Sequence, residues 1–390
     1  MDKHIDNAKW LTYFAPFKAL SISAAYLTPF FLEKGLSLSQ IFLLQSIFSL
    51  AVLLWEIPSG YIADRLGRAF SIKLSAPIAA VAMIAYGFSG QFWQFVICEL
   101  VLAMAYGLIS GIDTALLIDS LKAQGRETDF VKLSQRMNAM GFASTAVGVP
   151  LAILLVHYVS ISSTLVADGL LTLVGMIFAL KLVEAPHSNG STEAVRLSAW
   201  HAVRQLGGNA EARWLVALGA VLGTSTYIAY WLSAPYYSGM GIPVVLFSVI
   251  LAIRSLWKAW LSHKFHQTRH IERNMLVYAA LAGLVYMSMG TGWIWLVWLV
   301  LGHDVIQALQ GPPITARLNA YIEHEYRATI NSVINLVQRL VFMLAGPLVG
   351  LVVDRSGLKI GLVSTGLVCS TLAFVALARL HRLRTFEDKL

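Results

Sequence analysis

The chain has 390 residues, of which 57% are hydrophobic and 13% charged, and its mean hydropathy is +0.67. An ordinary soluble domain carries about a quarter charged residues, so a water-soluble enzyme with the usual ionised surface is excluded and the solvent is largely lipid. The net charge of +8 forms no basic stripe on a soluble face, which excludes nucleic-acid binding; membrane proteins are basic for topological reasons.

From the N-terminus, Met1-Asp2-Lys3-His4-Ile5-Asp6 is acidic as well as basic and leads into an apolar run interrupted by Lys18. That is unlike a cleaved signal peptide. A helix needs about 20 apolar residues to cross the hydrocarbon layer. Twelve such stretches are predicted, at 10–32, 39–62, 70–90, 92–121, 131–157, 161–183, 214–237, 243–262, 274–290, 293–317, 328–353 and 359–380. Runs such as 41–54 and 362–378 do not alternate in polarity, so β-barrel strands are excluded. Cys98 and Cys369 fall within apolar runs and offer neither a disulfide framework nor a thiolate metal site. The predicted fold is an all-α membrane protein with twelve transmembrane helices in two pseudo-symmetric six-helix bundles, 1–183 and 214–390. The connection 184–213 is polar around 187–193, then carries Trp200, Val203 and Leu206 at helical spacing. It reads as a cytoplasmic linker with a short amphipathic helix.

Orientation follows from lysine and arginine. With the N-terminus inside, 23 of the 29 fall in inner loops, inner span ends and termini, so both termini are predicted to be cytoplasmic. The halves also echo each other. Pro29-Phe30-Phe31 precedes Gly35 with the same spacing that separates Pro235-Tyr236-Tyr237 from Gly241, and Val149-Pro150-Leu151 has a counterpart in Gly346-Pro347-Leu348. Duplicated six-helix halves mark alternating-access transporters.

Between the second and third spans the chain reads Gly60-Tyr61-Ile62-Ala63-Asp64-Arg65-Leu66-Gly67-Arg68. A tight glycine turn there lets Asp64 sit against a helix N-terminus, while Arg65 and Arg68 meet phosphates or partner acids. This segment closely resembles the signature loop of the major facilitator superfamily. The segments 110–121 and 327–332 resemble its bacterial drug- and metabolite-exporter branch. The resemblance implies a conformational latch of Gly60, Asp64, Arg65, Gly67 and Arg68, with Asp119 at the inner end of span four as the arginines' partner. It also implies that spans one, four, seven and ten line the transport cavity. Two departures stand out: the branch often has an arginine in span four, where this chain offers Glu99 and no arginine, and span five keeps only Gly148-Val149-Pro150 of a Gly-Pro-Gly-Gly-like stretch. A related 350–357 segment follows span eleven on the outer side.

Seven charges, Lys18, Glu99, Asp113, Asp168, Arg254, Asp304 and Arg339, fall at membrane depth. Facing lipid at the midplane they would together cost about 20 kcal/mol, so they are expected to face a cavity or each other. Helical spacing puts Phe14, Lys18, Ser21, Ala25 and Thr28 on one stripe of span one, and Glu99, Ala103, Tyr106, Ser110 and Asp113 on one stripe of span four. Tyr227 and Trp231 align on span seven; His303, Gln307 and Gln310 align on span ten beside Asp304. A coupling carboxylate must take and release a proton as access changes sides, and Glu99 and Asp304 are the first candidates. His303 either titrates itself or serves as a neutral hydrogen-bonding member of the cluster. Lys18 and Arg339 either hold an anionic part of a solute or are counter-ions for Glu99, Asp113 or Asp304. Tyr227 and Trp231 either stack on a ligand or anchor packing.

Weaker signals add nothing. His263, His266 and His270 with Glu272 read as a basic inner loop rather than a metal site, Asn189-Gly190-Ser191 falls in the predicted inner linker, and no phosphate-binding Gly-Lys-Ser/Thr loop exists. The sequence therefore predicts no enzyme, no cofactor and no metal. It predicts a monomeric carrier in the cytoplasmic membrane that moves a small organic solute, most simply by efflux in exchange for protons. Proton-coupled uptake of a metabolite or metal chelate is the alternative, followed by a transporter-like sensor or scaffold.

Overall fold

A computed structural model describes residues 7–186, 204–264, 271–319, 321 and 330–387. The described secondary structure is entirely helical, and ten helices are long and apolar enough to cross a membrane. Trp200, Val203, His266, His270 and the segment 327–329 lie outside the described residues.

The chain divides into two compact units. The first comprises Met1–Leu36, Ile47–Thr192 and Val245–Ala252; the second comprises Ser37–Ser46, Glu193–Val244 and Ile253–Leu390. In order, the helices are α1 (Asn7–Ala19), α2 (Leu27–Glu33), α3 (Leu38–Leu66), α4 (Arg68–Phe88), α5 (Phe92–Gly107), α6 (Ile112–Lys122), α7 (Phe130–Tyr158) and α8 (Ser162–Ala179). They continue as α9 (Ala210–Gly239), α10 (Phe247–Lys264), α11 (Ile271–Thr291), a 3₁₀ stretch Ile294–Val300, α12 (Leu301–Leu309), α13 (Gly311–Leu318), α14 (Ile330–Ser356) and α15 (Leu358–Glu387).

In the first unit α4 packs along α8, and in the second α11 packs along α15. Both contacts use the absence of a side chain, as helix pairs in lipid commonly do. A Cβ on Gly169 of α8 would lie 2.8 Å from the carbonyl oxygen of Ala80, and one on Gly366 of α15 would lie 2.9 Å from that of Gly283. The repeated Pro-aromatic-aromatic segments end alike as well. Gly35 (φ +80°) and Gly241 (φ +74°) are both left-handed, and the next residue closes the turn in each case: Leu36 N–H donates to the Phe31 carbonyl and Ile242 N–H to that of Tyr237, both at 3.0 Å. This is the helix-ending geometry that favours glycine.

Three predicted spans are not continuous helices. The first stops at Ala19 and restarts at Leu27. The fourth stops at Gly107 and restarts at Ile112, with Gly111 at φ +75°. The tenth is 3₁₀ in its first part, then breaks between Leu309 and Gly311, where Pro312 and Pro313 remove the N–H groups that would continue α12. The stripes expected on spans one and four assumed unbroken 3.6-residue periodicity, and the breaks disrupt them. On the fourth, Glu99, Ala103 and Asp113 are buried, whereas Tyr106 and Ser110 are exposed.

Candidate functional site

Asp168 of α8 explains why the first span can open. Its carboxylate accepts from the backbone N–H of Ile22 (2.7 Å) and Ser23 (3.0 Å) and from the Ser23 hydroxyl (2.6 Å). Backbone groups freed inside lipid must find partners, and one buried side chain supplies them for this unwound turn. Sequence alone marked Asp168 only as a charge at membrane depth.

Lys18 lies in the last turn of α1, just before that opening, and Asp113 lies in the first turn of α6, just after the break in span four. The two side chains form an ion pair at 2.5 Å. Asp113 also accepts the Thr114 N–H at 2.8 Å. A cation at a helix C-terminus and an anion at an N-terminus are both favoured by the helix dipoles. The Lys18 side chain remains 39% exposed, the Asp113 side chain only 9%, so the pair is a covered carboxylate with a reachable ammonium. Of the two readings open for Lys18, the counter-ion role is the geometry observed, with Asp113 as partner.

Glu99 of α5 is buried elsewhere in the same unit and accepts from the Tyr86 hydroxyl at 2.8 Å. Phe30, Phe31 and Phe95 pack around Tyr86, with centroids 5.4 to 6.3 Å from its ring. The wall around Tyr86 and Glu99 is therefore mostly aromatic.

The second unit holds a larger polar centre. Arg254 of α10 clamps Asp304 of α12 with two bonds, Nε to Oδ2 at 2.9 Å and Nη2 to Oδ1 at 3.1 Å, the fork geometry natural to guanidinium and carboxylate. Its remaining Nη1 donates to Ser233 Oγ (3.1 Å) and Tyr237 Oη (3.3 Å) of α9. Lys258 stands 4.0 Å from Asp304 and donates to Gln307 at 2.9 Å. Next to Asp304 in sequence, His303 is buried with its ring 4.5 Å from that of Tyr286, and neither ring nitrogen has a hydrogen-bond partner among the described residues. The Gln310 carbonyl oxygen, at the break in span ten, likewise has none. Trp231 is buried against Tyr230, and Tyr227 meets Phe342 edge-on at 4.5 Å. Arg339 is half-buried in α14. Sequence reasoning gave Arg254 no role because its partner lies on another helix, beyond the reach of any spacing rule.

At the signature loop, Gly67 takes φ +102°, and Arg68 of α4 ion-pairs with Asp119 of α6. Asp64 and Arg65 are exposed in the last turn of α3, Gly60 is half-buried in the same helix, and Arg65 stacks over the Tyr61 ring at 5.0 Å. Asp64 is not the carboxylate at the start of α4. That place belongs to Glu184, which accepts from the N–H of Arg68 (2.9 Å) and Ala69 (2.8 Å). The later 350–357 segment uses its own aspartate in the same manner: Asp354 accepts from Leu38 N–H (3.0 Å) and Ser39 N–H (2.8 Å) at the start of α3.

Paired charges at membrane depth, interrupted helices and a glycine-turned acidic-basic loop are features of a solute carrier. The family model for the Major Facilitator Superfamily matches residues 9–346. The chain belongs to the major facilitator superfamily. Among solved structures, it is similar to the nucleoside transporter NupG at 15% identity, with a TM-score of 0.77 over 97% of this chain and 99% of that one. It is also similar to a bacterial homolog of the human lysosomal transporter Spinster in an inward-facing, unoccupied conformation (16% identity, TM-score 0.73, 97% and 98% covered). A third similar structure is a POT family transporter in complex with 5-aminolevulinic acid (12% identity, TM-score 0.67, 96% and 94% covered). At these identities the likeness shows the fold. Comparison with curated proteins by sequence gave no match. As a superfamily member the chain is a multi-pass membrane transporter of small-molecule solutes rather than an enzyme.

Proposed function

We propose that the chain is a proton-coupled exporter of a small organic solute, a drug, metabolite or siderophore-like compound. It acts as a monomer by alternating access in the cytoplasmic membrane, with twelve spans and both termini inside. The observation that carries the carrier reading is the matched interruption of the fourth and tenth spans, one in each unit, each beside a buried carboxylate held by a cation: Asp113 with Lys18, and Asp304 with Arg254. Interrupted spans at corresponding places in the two halves of a transporter point to the groups that bind solute and ion. Lys18, Tyr106, Asp113, Tyr227, Trp231, His303, Gln307, Gln310 and Arg339 belong to this pathway. Glu99 is the proton carrier of first choice, because its phenol partner is neutral in either state. Asp304 is restrained by two guanidinium bonds. The exporter-like segment 110–121 supports export as the direction, and Gly60, Asp64, Arg65, Gly67, Arg68 and Asp119 form the latch.

The test is solute flux in everted vesicles with an imposed pH gradient. Export predicts solute accumulation when the lumen is acid; accumulation only with the opposite gradient identifies uptake, and no gradient-dependent flux across a broad panel refutes proton coupling. Glu99→Gln preserves an acceptor for Tyr86 and is expected to abolish gradient-driven flux while leaving solute counterflow. Full coupling in that variant removes Glu99 from the proton path.

A further inference from the structure

The first unit contains a cavity apart from both polar centres, at the end of α1 where the lysine and arginine bias predicts cytoplasm. Its volume is about 210 Å³, and its lining includes Lys9, Thr12, Tyr13, Arg126, Leu133 and Arg136. Lys9, Thr12 and Tyr13 recur at helical spacing on one face of α1, and Leu133 and Arg136 do so on α7. Arg126 comes in from the short connection before α7. Three of these residues are cationic, and no carboxylate among the described residues lines the space.

The three cations differ in how they are held. Arg126 is fixed by Asp129, with Nε 2.8 Å from Oδ2. Lys9 rests over the Trp10 ring, its ammonium 4.9 Å from the centroid, and pairs with no acid among the described residues. Arg136 forms no ion pair among the described residues. Two positive charges thus converge on a concave space with no anion among the described residues to balance them. Topology alone asks for cations on the inner side; it does not ask for them to line one cavity. The donors match a tetrahedral oxyanion: one ammonium, two planar guanidinium groups and the exposed Tyr13 hydroxyl, with Leu133 and Ala8 supplying an apolar wall.

We propose that this cavity binds a phosphate group, carried either by an anionic lipid headgroup of the inner leaflet or by a free phosphate at the membrane surface. The site is separate from the solute path, so its occupancy is read by stability rather than by transport.

The test uses the full chain in nanodiscs and follows the thermal midpoint by tryptophan fluorescence. In phosphatidylcholine discs, inorganic phosphate is titrated at constant ionic strength; in a second series, phosphatidylglycerol replaces part of the phosphatidylcholine with no phosphate added. A saturable rise in midpoint is expected with at least one probe. A rise with phosphatidylglycerol alone identifies the lipid source, and a rise with phosphate alone identifies the free anion. Lys9→Gln and Arg136→Gln are each expected to weaken the response about tenfold, the loss of one charge-assisted bond. Lys9 is exposed near the start of α1, so Lys9→Gln serves where Arg136→Gln fails to fold. Lys122→Gln, which removes an exposed cation of α6 outside the cavity, is expected to respond as the natural chain does. The proposal is overturned if neither probe shifts the midpoint, if Lys9→Gln and Arg136→Gln respond fully, or if Lys122→Gln loses as much as they do.

Discussion

Removing one half of the Arg254–Asp304 pair is expected to be among the most damaging single changes in the second unit. Asp304 is 1% exposed and Arg254 8%, so neither charge can turn to water when its partner is gone. Asp304→Asn removes the counter-charge and sets an NH2 donor against one of the two Arg254 N–H groups that now donate to the carboxylate at 2.9 and 3.1 Å, and it leaves Lys258 without its nearby anion. Breaking a buried pair from one side costs about 3–5 kcal/mol, in line with two charge-assisted bonds of about 1.5–3 kcal/mol each. Arg254→Met is expected at the lower end of that range, because Lys258 already stands 4.0 Å from Asp304 and is 30% exposed, which lets it move onto the carboxylate. The double variant Arg254→Met with Asp304→Asn removes both charges and is expected within about 2 kcal/mol of the natural chain, since a buried pair replaced as a whole is nearly neutral. Reversible unfolding in mixed micelles with increasing sodium dodecyl sulfate, read by tryptophan fluorescence, gives the three free energies and their coupling. Single variants that each cost less than about 1 kcal/mol, or a double variant as unstable as the two losses added together, refute a buried and mutually dependent pair.

Asp168→Ala is expected to destabilise the first unit by about 2–3 kcal/mol, since it orphans the Ile22 and Ser23 N–H groups in a buried setting; the same unfolding assay checks it, and a loss under about 0.5 kcal/mol excludes Asp168 as the support of the opening. Gly67→Ala meets both the positive φ and the Glu184 carboxylate that caps α4, and is expected to cost about 1–2 kcal/mol from backbone strain alone. Glu184→Ala is expected to cost about 1 kcal/mol as a lost helix cap, and a double-mutant cycle between the two should show coupling rather than additivity. Gly169→Leu and Gly366→Leu are each expected to lose about 1–3 kcal/mol by forcing apart helices in backbone contact, whereas Gly239→Ala, whose added carbon meets nothing within 4 Å, is expected to be harmless in the same measurement.

Hydropathy read along the chain located the helices because crossing lipid demands long apolar runs, and α3, α4 and α9 are such runs without interruption. The same reading could not locate the breaks at 20–26, 108–111 and 310. Opening a helix changes which backbone groups bond to which partners, and leaves the apolar count of the segment untouched. For the tenth span the signal was present in Gly311-Pro312-Pro313, whose missing N–H groups forbid continuation; for the first span it was absent, because the partner that makes the opening tolerable, Asp168, is on α8. Ion pairing followed the same division. A charge within an apolar span can be picked out from sequence, since its desolvation cost compels a partner. Which partner it takes is a property of helix packing, so Lys18 with Asp113 and Arg254 with Asp304 emerge only once α1 meets α6 and α10 meets α12. Glu184 marks the limit most clearly. It sits at the start of the segment that reads as a linker, between Val183 and Ala185, yet its two oxygens occupy the start of α4 where the loop motif places Asp64. A carboxylate at a helix start is required by the helix dipole and its free N–H groups, and the requirement fixes the chemistry of the group without fixing the residue that supplies it. Asp168 at Ile22 and Asp354 at Leu38 follow the same rule: in each case free backbone N–H groups are met by an aspartate distant in sequence. Glu184, Asp168 and Asp354 thus close backbone openings, Asp119 and Asp304 face cations, and Asp113 does both; Glu99 accepts instead from a neutral phenol, and it is there that the proposed proton coupling is tested.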